Sequence, residues 1–286
     1  NTLELYAGCG GMARGLHDAG LTALLMVEKN AAAAASLEAN QLGPVFCGDA
    51  ADAPLSAYAG QVDLLCGGPP WQPYRTAGKG LGAADPRDGW PVFLSAVAQV
   101  RPRWVLVENV TACPAGRWSF DLLRKGYACV EHRTLNAADY GLPQMRKRVF
   151  IIAGPRAVVW PRVTHADPTL LGNDLFSDDR RPWVSIGAAL GLKHHTDGGR
   201  PSPTISTTDG VGMGSAASRD LLESLIGRRS LTRAECRILQ GFPDHHTIVG
   251  TGRQQYRQIG NAVPPALAQI LGQAITQAHH ASMLVA

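Results

Sequence analysis

The sequence predicts an α/β fold: an open, mainly parallel sheet with helices on both faces. Three observations predict it. Short apolar runs alternate with helical stretches over the first fifty or so residues. A glycine-rich turn, Gly8-Cys9-Gly10-Gly11, joins the first strand to the first helix. A further apolar run, residues 62–65, is stopped by Gly67-Gly68-Pro69-Pro70, and two consecutive prolines make a stiff loop because each fixes φ and donates no hydrogen bond.

Taken in order, residues 3–7 are a short strand, residues 12–19 a helix ended by Gly20, and residues 24–27 a second strand closed by Glu28. Residues 31–40 are an alanine-rich helix, and residues 45–47 a third strand followed by Gly48-Asp49. This βαβαβ run implies right-handed crossovers and a parallel sheet, whose ligands bind outside the carboxyl ends of the strands. A glycine turn at that end lets a ligand approach the backbone and meet the helix N-terminus. Glu28 is placed to bind a ribose diol, and Asp49 to accept from an adenine amino group. The turn, reading Ala7-Gly8-Cys9-Gly10-Gly11-Met12, lacks the later glycine of the dinucleotide fingerprint, which favours S-adenosylmethionine over a dinucleotide.

Trp71 and Gln72 are then held on a stiff loop at a strand's carboxyl end, where the indole can stack on a nucleobase or plug a core. The length of 286 residues and an apolar content of 45% allow one large domain or two unequal ones with a real core. Nothing approaches the roughly 20 apolar residues of a membrane span, and no basic-then-apolar leader opens the sequence, so a cytoplasmic, nucleoid-associated protein is expected. A net charge of +4 permits a polyanionic partner without demanding one. The six cysteines show no paired spacing, and the pairs His194-His195, His245-His246 and His279-His280 lack companion ligands, so they read as surface residues and no metal is expected.

At this point the chain resembles the DNA cytosine-5 methyltransferases, and the resemblance runs nearly end to end. Leu5-Tyr6-Ala7-Gly8-Cys9-Gly10-Gly11 looks like their first motif, with Tyr6 where Phe is usual. Gly67-Gly68-Pro69-Pro70-Trp71-Gln72 sits at their Pro-Cys-Gln loop, and Ala77-Gly78-Lys79 with Asp85-Pro86-Arg87 resembles the catalytic loop after it. Val107-Glu108-Asn109-Val110 matches Glu-Asn-Val, and Gln144-Met145-Arg146-Lys147-Arg148 matches Gln-x-Arg-x-Arg. Leu231-Thr232-Arg233, Leu239-Gln240-Gly241-Phe242-Pro243 and Gln258-Ile259-Gly260-Asn261-Ala262-Val263-Pro264-Pro265 resemble the closing segments. The resemblance implies a Rossmann-like S-adenosylmethionine-dependent domain, residues 1–155 plus 256–286, and a small DNA-recognition domain, residues 156–255. It implies cofactor contacts from Tyr6, Ala7, Gly8, Cys9, Gly10, Gly11, Glu28, Asp49, Trp90, Asn261 and Val263, and catalytic roles for Glu108, Arg146 and the loop at Pro70. The partner it implies is double-stranded DNA with a flipped cytosine, met by Gln72, Arg75 and Arg148 and by arginines of the small domain: Arg180, Arg181, Arg200, Arg228, Arg229 and Arg253. A monomer in a restriction-modification setting is expected.

The departure is at position 71. The family adds a cysteine thiolate to carbon 6 of cytosine so that carbon 5 becomes nucleophilic; here the residue is Trp71, and an indole cannot make that addition. Cys66, five residues earlier, would need a rearranged loop to substitute. Gly68-Pro69-Pro70-Trp71 instead resembles the Ser/Asn/Asp-Pro-Pro-aromatic motif of amino-methyltransferases, in which a proline carbonyl accepts from the target amino group and the aromatic ring stacks on the flipped base. Gly68 lacks that motif's polar side chain, and Glu108 could supply the acceptor. The expected reaction is therefore methylation of N4; the alternatives are a DNA-binding homologue without turnover, or an engineered Trp in a C5 enzyme.

Overall fold

The structure, a computed structural model, describes residues 1–70, 88–171, 179–192, 200–205, 207, 220, 223, 226–227 and 229–283. Trp71, Gln72, Arg75, Arg228, the expected catalytic loop and the Gly/Ser/Thr-rich stretch 207–218, apart from residue 207, lie outside the described residues.

The core is a seven-stranded sheet. In chain order the elements are β1 (Thr2–Leu5), α1 (Gly11–Asp18), β2 (Ala23–Glu28), α2 (Ala31–Asn40), β3 (Val45–Cys47), β4 (Leu64–Gly67), α3 (Trp90–Val100), β5 (Trp104–Asn109), α4 (Ala115–Arg124), β6 (Cys129–Asn136) and β7 (Lys147–Gly154). The strand order is β3-β2-β1-β4-β5-β7-β6, with β7 antiparallel to both its neighbours and the remaining pairs parallel. The winding reverses between β1 and β4, so the crevice where an open α/β sheet takes its ligand lies at their carboxyl ends. Strands alternate their side chains between two apolar layers. Leu3, Leu5, Leu65, Val105 and Val107 meet Phe93 of α3 and Trp118 of α4 on one face. Leu64, Cys66 and Leu106 meet Met12 and Leu16 of α1 and Leu267, Leu271 and Ile275 of the last helix on the other.

After β7 come the two-stranded β8 (His165–Ala166) and β9 (Arg181–Pro182), then α5 (Ile186–Ala189), α6 (Arg233–Gln240), α7 (Gly252–Asn261) and α8 (Pro265–Met283). Helices α6 and α7 each begin with a capping box, Thr232 with Glu235 and Thr251 with Gln254. Their apolar faces form a third cluster with Ile186, Ile205, Phe242, Ile248 and Cys9 of the glycine turn. The expected boundary between residues 255 and 256 falls inside α7. The reason is that this helix serves both sides: Ile259 packs into the third cluster while Gln258 hydrogen-bonds Ser36 of α2 at 2.7 Å.

The glycine turn holds a correction. Gly11 does not line the ligand crevice; a Cβ there would stand 2.2 Å from the Val263 carbonyl oxygen and 3.1 Å from Ala262 Cβ. The residue is glycine so that α1 can start against the chain segment that enters α8. Gly11→Ala should therefore cost roughly 1–3 kcal/mol of stability, as overpacking does, and lower the melting temperature with or without ligand. A variant that melts like the parent protein and fails only in cofactor binding would mean that the glycine serves the ligand directly.

Candidate active site

The carboxyl ends of β1, β2, β3, β4 and β5 converge on one cavity of about 1250 Å³. Its wall is completed by Gln254, Arg257, Gln258 and Gly260 to Val263, contributed by α7 and the turn after it.

At one end lies the acid that closes β2. Glu28 accepts from the Gly8 backbone N–H through Oε2 and from the Asn30 N–H through Oε1, both at 2.7 Å. Two backbone bonds fix the carboxylate's plane and leave its other lone pairs for a diol. Asp49 accepts from Lys29 at 2.7 Å and from the Ala51 N–H at 3.1 Å. The Lys29 hydrogen bond holds its carboxyl below the usual range. Tyr6 bends the chain out of β1 at φ 60°, a left-handed value that costs a non-glycine residue about 1–3 kcal/mol, and its hydroxyl donates to the Gly89 carbonyl at 3.0 Å. Tyr6, Ala7, Gly8, Glu28, Asp49, Asn261 and Val263 all line the cavity. This donor and acceptor set fits an adenosine-bearing ligand.

Besides Gly11, three expected cofactor residues stand elsewhere. Trp90 is 2% exposed and lies between Phe93 and Trp118 in the α3–α4 layer. Its indole N–H donates to Asp121 at 2.9 Å, so it is a core residue that anchors the start of α3. Cys9 points into the third cluster, its thiol donating to the Gln258 carbonyl at 3.5 Å. Gly10, like Gly11, packs against protein, with Leu37 Cδ2 2.9 Å from where a Cβ would be.

At the other end is Glu108, on β5. Arg148 Nε stands 3.2 Å from its Oε1. Burial raises the acid's pKa above the ordinary glutamate value, while Arg148 and Arg146 act to lower it. A Cβ at Gly68 would lie 3.2 Å from Glu108 Oε2, so the carboxyl occupies the room in which a side chain at position 68 would have to fit. The loop carbonyls are engaged: Pro69 accepts from Asn109 Nδ2 at 2.8 Å, and Pro70 from the Gly89 N–H at 3.0 Å. Asn109 thus braces the stiff loop, a role that its place in the Glu-Asn-Val stretch did not reveal. Arg146 and Arg148 both line the cavity, as their alternation implies. Arg146 is 1% exposed, and burial pulls its guanidinium down to about 9. Its Nη2 donates to the carbonyls of Gly260 at 3.0 Å and Ala262 at 2.9 Å, while Nε and Nη1 find no partner among the described residues.

The remaining thiols bear on the missing nucleophile. All six cysteines are described, and none lines the cavity. Cys66 is 0% exposed on the α1–α8 face of β4, its thiol donates to the Leu3 carbonyl, and burial pushes its pKa well up. Cys113 is buried in the opposite layer and pushed up to about 12. Among the described residues, no group of three or more His, Cys, Asp or Glu could hold a metal, and no helix is long and apolar enough to cross a membrane. His246, expected at the surface, is 1% exposed: its Nε2 lies 2.8 Å from the Cys9 carbonyl, its ring packs on Phe242, and burial drops its pKa to about 4. Arg229 pairs with both oxygens of Glu235, at 2.8 and 2.6 Å.

A polar network joins the site to the chain's later segments. Gln144, 0% exposed, donates to the Leu239 carbonyl at 3.0 Å and to Gln240 Oε1 at 2.8 Å, and accepts from the Ile205 N–H at 3.1 Å. Gln240 in turn donates to the Ala262 carbonyl at 2.6 Å.

Sheet order, the acids at the strand ends and the cavity define a nucleoside-cofactor-binding α/β enzyme of the methyltransferase type. Its sequence matches the family described as C-5 cytosine-specific DNA methylase over residues 1–159 and 194–277, and the chain belongs to that family. Its cofactor is S-adenosylmethionine. It is similar to Type II methyltransferase M.AplI of Arthrospira platensis, 32% identical over 96% of this chain and 84% of that one. It is also similar to M.NaeI of Lentzea aerocolonigenes, 33% identical over 96% and 74%. Among solved structures it shares its fold with a Spodoptera frugiperda DNMT2 variant (TM-score 0.68, 18% identity, 96% and 99% covered) and with the Entamoeba histolytica methyltransferase EhMeth (0.69, 17%, 97% and 98%).

Removing Gln144 tests the network. Gln144→Leu leaves the Ile205 N–H and two acceptors unpaired inside the protein, and one such orphan costs about 1–3 kcal/mol. Urea unfolding should show a loss at least that large, whereas an unchanged midpoint would mean that water replaces these bonds freely.

Proposed function

We propose that the protein methylates the exocyclic N4 amino group of a cytosine flipped out of double-stranded DNA, by direct transfer and without a covalent enzyme–DNA adduct. One observation carries this reading: the cavity is lined by Glu108, Arg146 and Arg148 but by none of the six cysteines, and position 71, where the family's thiolate stands, is Trp.

S-adenosylmethionine, held by Glu28, Asp49 and the glycine turn, would supply an activated methyl group, and methylation at N4 would need no nucleophile at carbon 6. Glu108 accepts the N4–H hydrogen bond and takes the proton that the methylated nitrogen loses. Burial raises its pKa above the ordinary glutamate value, which makes it a stronger proton acceptor. The amino-methyltransferase motif uses a loop carbonyl and a polar side chain for this work. Here both proline carbonyls are already engaged and the space beside Gly68 holds Glu108, so the acid takes over both tasks. Arg148 orients Glu108, and the partnerless Nε and Nη1 of Arg146 meet the base carbonyl. Trp71 stacks on the flipped base, while Gln72 and Arg75 hold the strand. Residues of the 156–255 stretch, with Arg181, Arg200 and Arg253 but not Arg229, which Glu235 holds, touch phosphates, in a restriction-modification enzyme of the cytoplasmic nucleoid.

A second reading has its own support. The carbonyls of Pro69 and Pro70 each already accept a hydrogen bond from the protein, as a DNA-binding homologue that has lost turnover would tolerate. Nucleosides digested from DNA treated with enzyme and cofactor, identified by mass spectrometry, separate the two. N4-methylcytosine is the expected product; 5-methylcytosine alone would refute the proposal, and no methyl incorporation would establish the second reading. Glu108→Gln should cut transfer by about 10²–10⁴-fold, the usual worth of a positioned acid–base group. Trp71→Cys should divert some product to 5-methylcytosine and trap covalently on DNA containing 5-fluorocytosine.

A further inference from the structure

A second cavity, of about 420 Å³, opens on another face of α7. Helix α7 turns Gln254, Gln258 and Asn261 to the catalytic cavity and Gln255 and Ile259 to this one, and the two cavities share no lining residue. The other walls are Arg233 and Arg237 of α6 and the connection between α6 and α7, from which Asp244, His246 and Ile248 reach it. Two atoms of these residues, Arg237 Nε and His246 Nδ1, are buried and find no hydrogen-bond partner among the described residues. Buried polar atoms are normally satisfied, so a pair of them at one cavity calls for a partner. Arg237 is held in place by its Nη2, which donates to the carbonyls of Pro243 at 3.1 Å and Asp244 at 2.6 Å. Arg233 is exposed and makes no hydrogen bond or ion pair among the described residues. Asp244 is the single acid among the lining residues, so the two guanidiniums leave the cavity positive.

The surroundings of His246, which is 1% exposed, fix its tautomer. Nε2 lies 2.8 Å from the Cys9 carbonyl, an oxygen that can only accept, so Nε2 carries the ring hydrogen. The Asn40 amide beside it gives its two hydrogens to the Ser36 and Thr247 carbonyls, at 2.6 and 2.7 Å, and has none left for Nε2. Nδ1 is therefore a bare lone pair, and burial, which drops the ring's pKa to about 4, keeps it one at neutral pH. Arg237 is near enough to act on the ring electrostatically. The cavity thus offers cationic donors and, close to them, a buried acceptor. A fully deprotonated oxyanion satisfies the donors but sets its own lone pairs against Nδ1, whereas an oxyanion that keeps a hydroxyl satisfies both. We propose that this cavity binds inorganic phosphate, with Arg233 and Arg237 donating to its oxygens and its O–H donating to His246 Nδ1. Guanidinium pairs suit a phosphate's geometry and charge. A DNA backbone phosphate is a diester without that hydrogen, so the ligand is the free ion and not the strand. Bound there, the ion ties α6 to α7 towards their starts, as Gln240 and the Ala262 carbonyl tie them at their far ends.

The test is calorimetric titration of the full chain with sodium phosphate at neutral pH, beside sodium sulfate and sodium dimethyl phosphate at matched ionic strength. Neither comparison anion carries an O–H. Phosphate should bind saturably at one site, at least about tenfold more tightly than either, because each of the others leaves the buried Nδ1 unpaired. Phosphate should also raise the melting temperature as the site fills, since a ligand of the folded state stabilises it. Arg233→Gln should weaken phosphate binding at least about threefold, a modest loss because the side chain is exposed. His246→Phe keeps a ring against Phe242 and removes the acceptor, so it should bring phosphate down to the level of sulfate. Melting curves establish that each variant is folded; should His246→Phe unfold, the anion comparison and Arg233→Gln decide alone. Equal binding of phosphate and sulfate by the parent protein would overturn the proposal, because charge alone would then account for it. Phosphate binding untouched by Arg233→Gln would overturn it too, since the ion would lie at other arginines. No binding would leave water as the partner of Arg237 Nε and His246 Nδ1, and would also overturn it.

Discussion

The Ala262 carbonyl is the point on which the site depends. It accepts from Arg146 at 2.9 Å and from Gln240 at 2.6 Å, two donors from separate segments that precede it by 116 and 22 residues in sequence. Arg146 also holds Gly260, and Gln240 is held by Gln144. Hydrogen bonds to a charged donor are worth roughly twice neutral ones, and buried networks cost dearly when a member is lost. This ring fixes the turn from α7 to α8, and that turn supplies one wall of the cavity and the carbonyl against which Gly11 packs. The glycine turn, the α7–α8 turn and the Gln-x-Arg-x-Arg stretch are therefore one mechanical unit, although they lie at the two ends and the middle of the chain.

That unit also explains how the scaffold can persist while its nucleophile is gone. The described bonds of the ring and the sheet join other residues: β4 is held by its register with β1 and β5, Pro69 by Asn109, and Pro70 by Gly89. The described stems on either side of the loop, residues 64–70 and 88–89, are braced by these bonds. A change from thiol to indole alters the chemistry offered to a base without removing any of these bonds. Glu108, buried and paired with Arg148, remains an acid on the cavity wall.

Much of this was legible in the sequence, for local reasons. The helix at residues 31–40 and the strand at residues 45–47 occur as their composition predicts, and Glu28, Asp49 and Glu108 stand at strand ends because each terminates an apolar run. What was not legible depends on long-range contacts. Trp90 looks like a ligand residue until Trp118 and Phe93 are seen to enclose it. His246 looks like half of a surface pair until the Cys9 carbonyl, 237 residues away in sequence, takes its ring N–H. Gln144 and Gln240 carry no local signal of their mutual bond.

The claim at the centre is that the methyl group reaches the base without attack at carbon 6. DNA carrying tritium on carbon 5 of cytosine tests it most directly, since methylation at carbon 5 must expel that hydrogen and methylation at N4 leaves it in place. The account predicts methyl groups entering the DNA while the tritium is retained. Tritium released into water in step with methyl incorporation would contradict it.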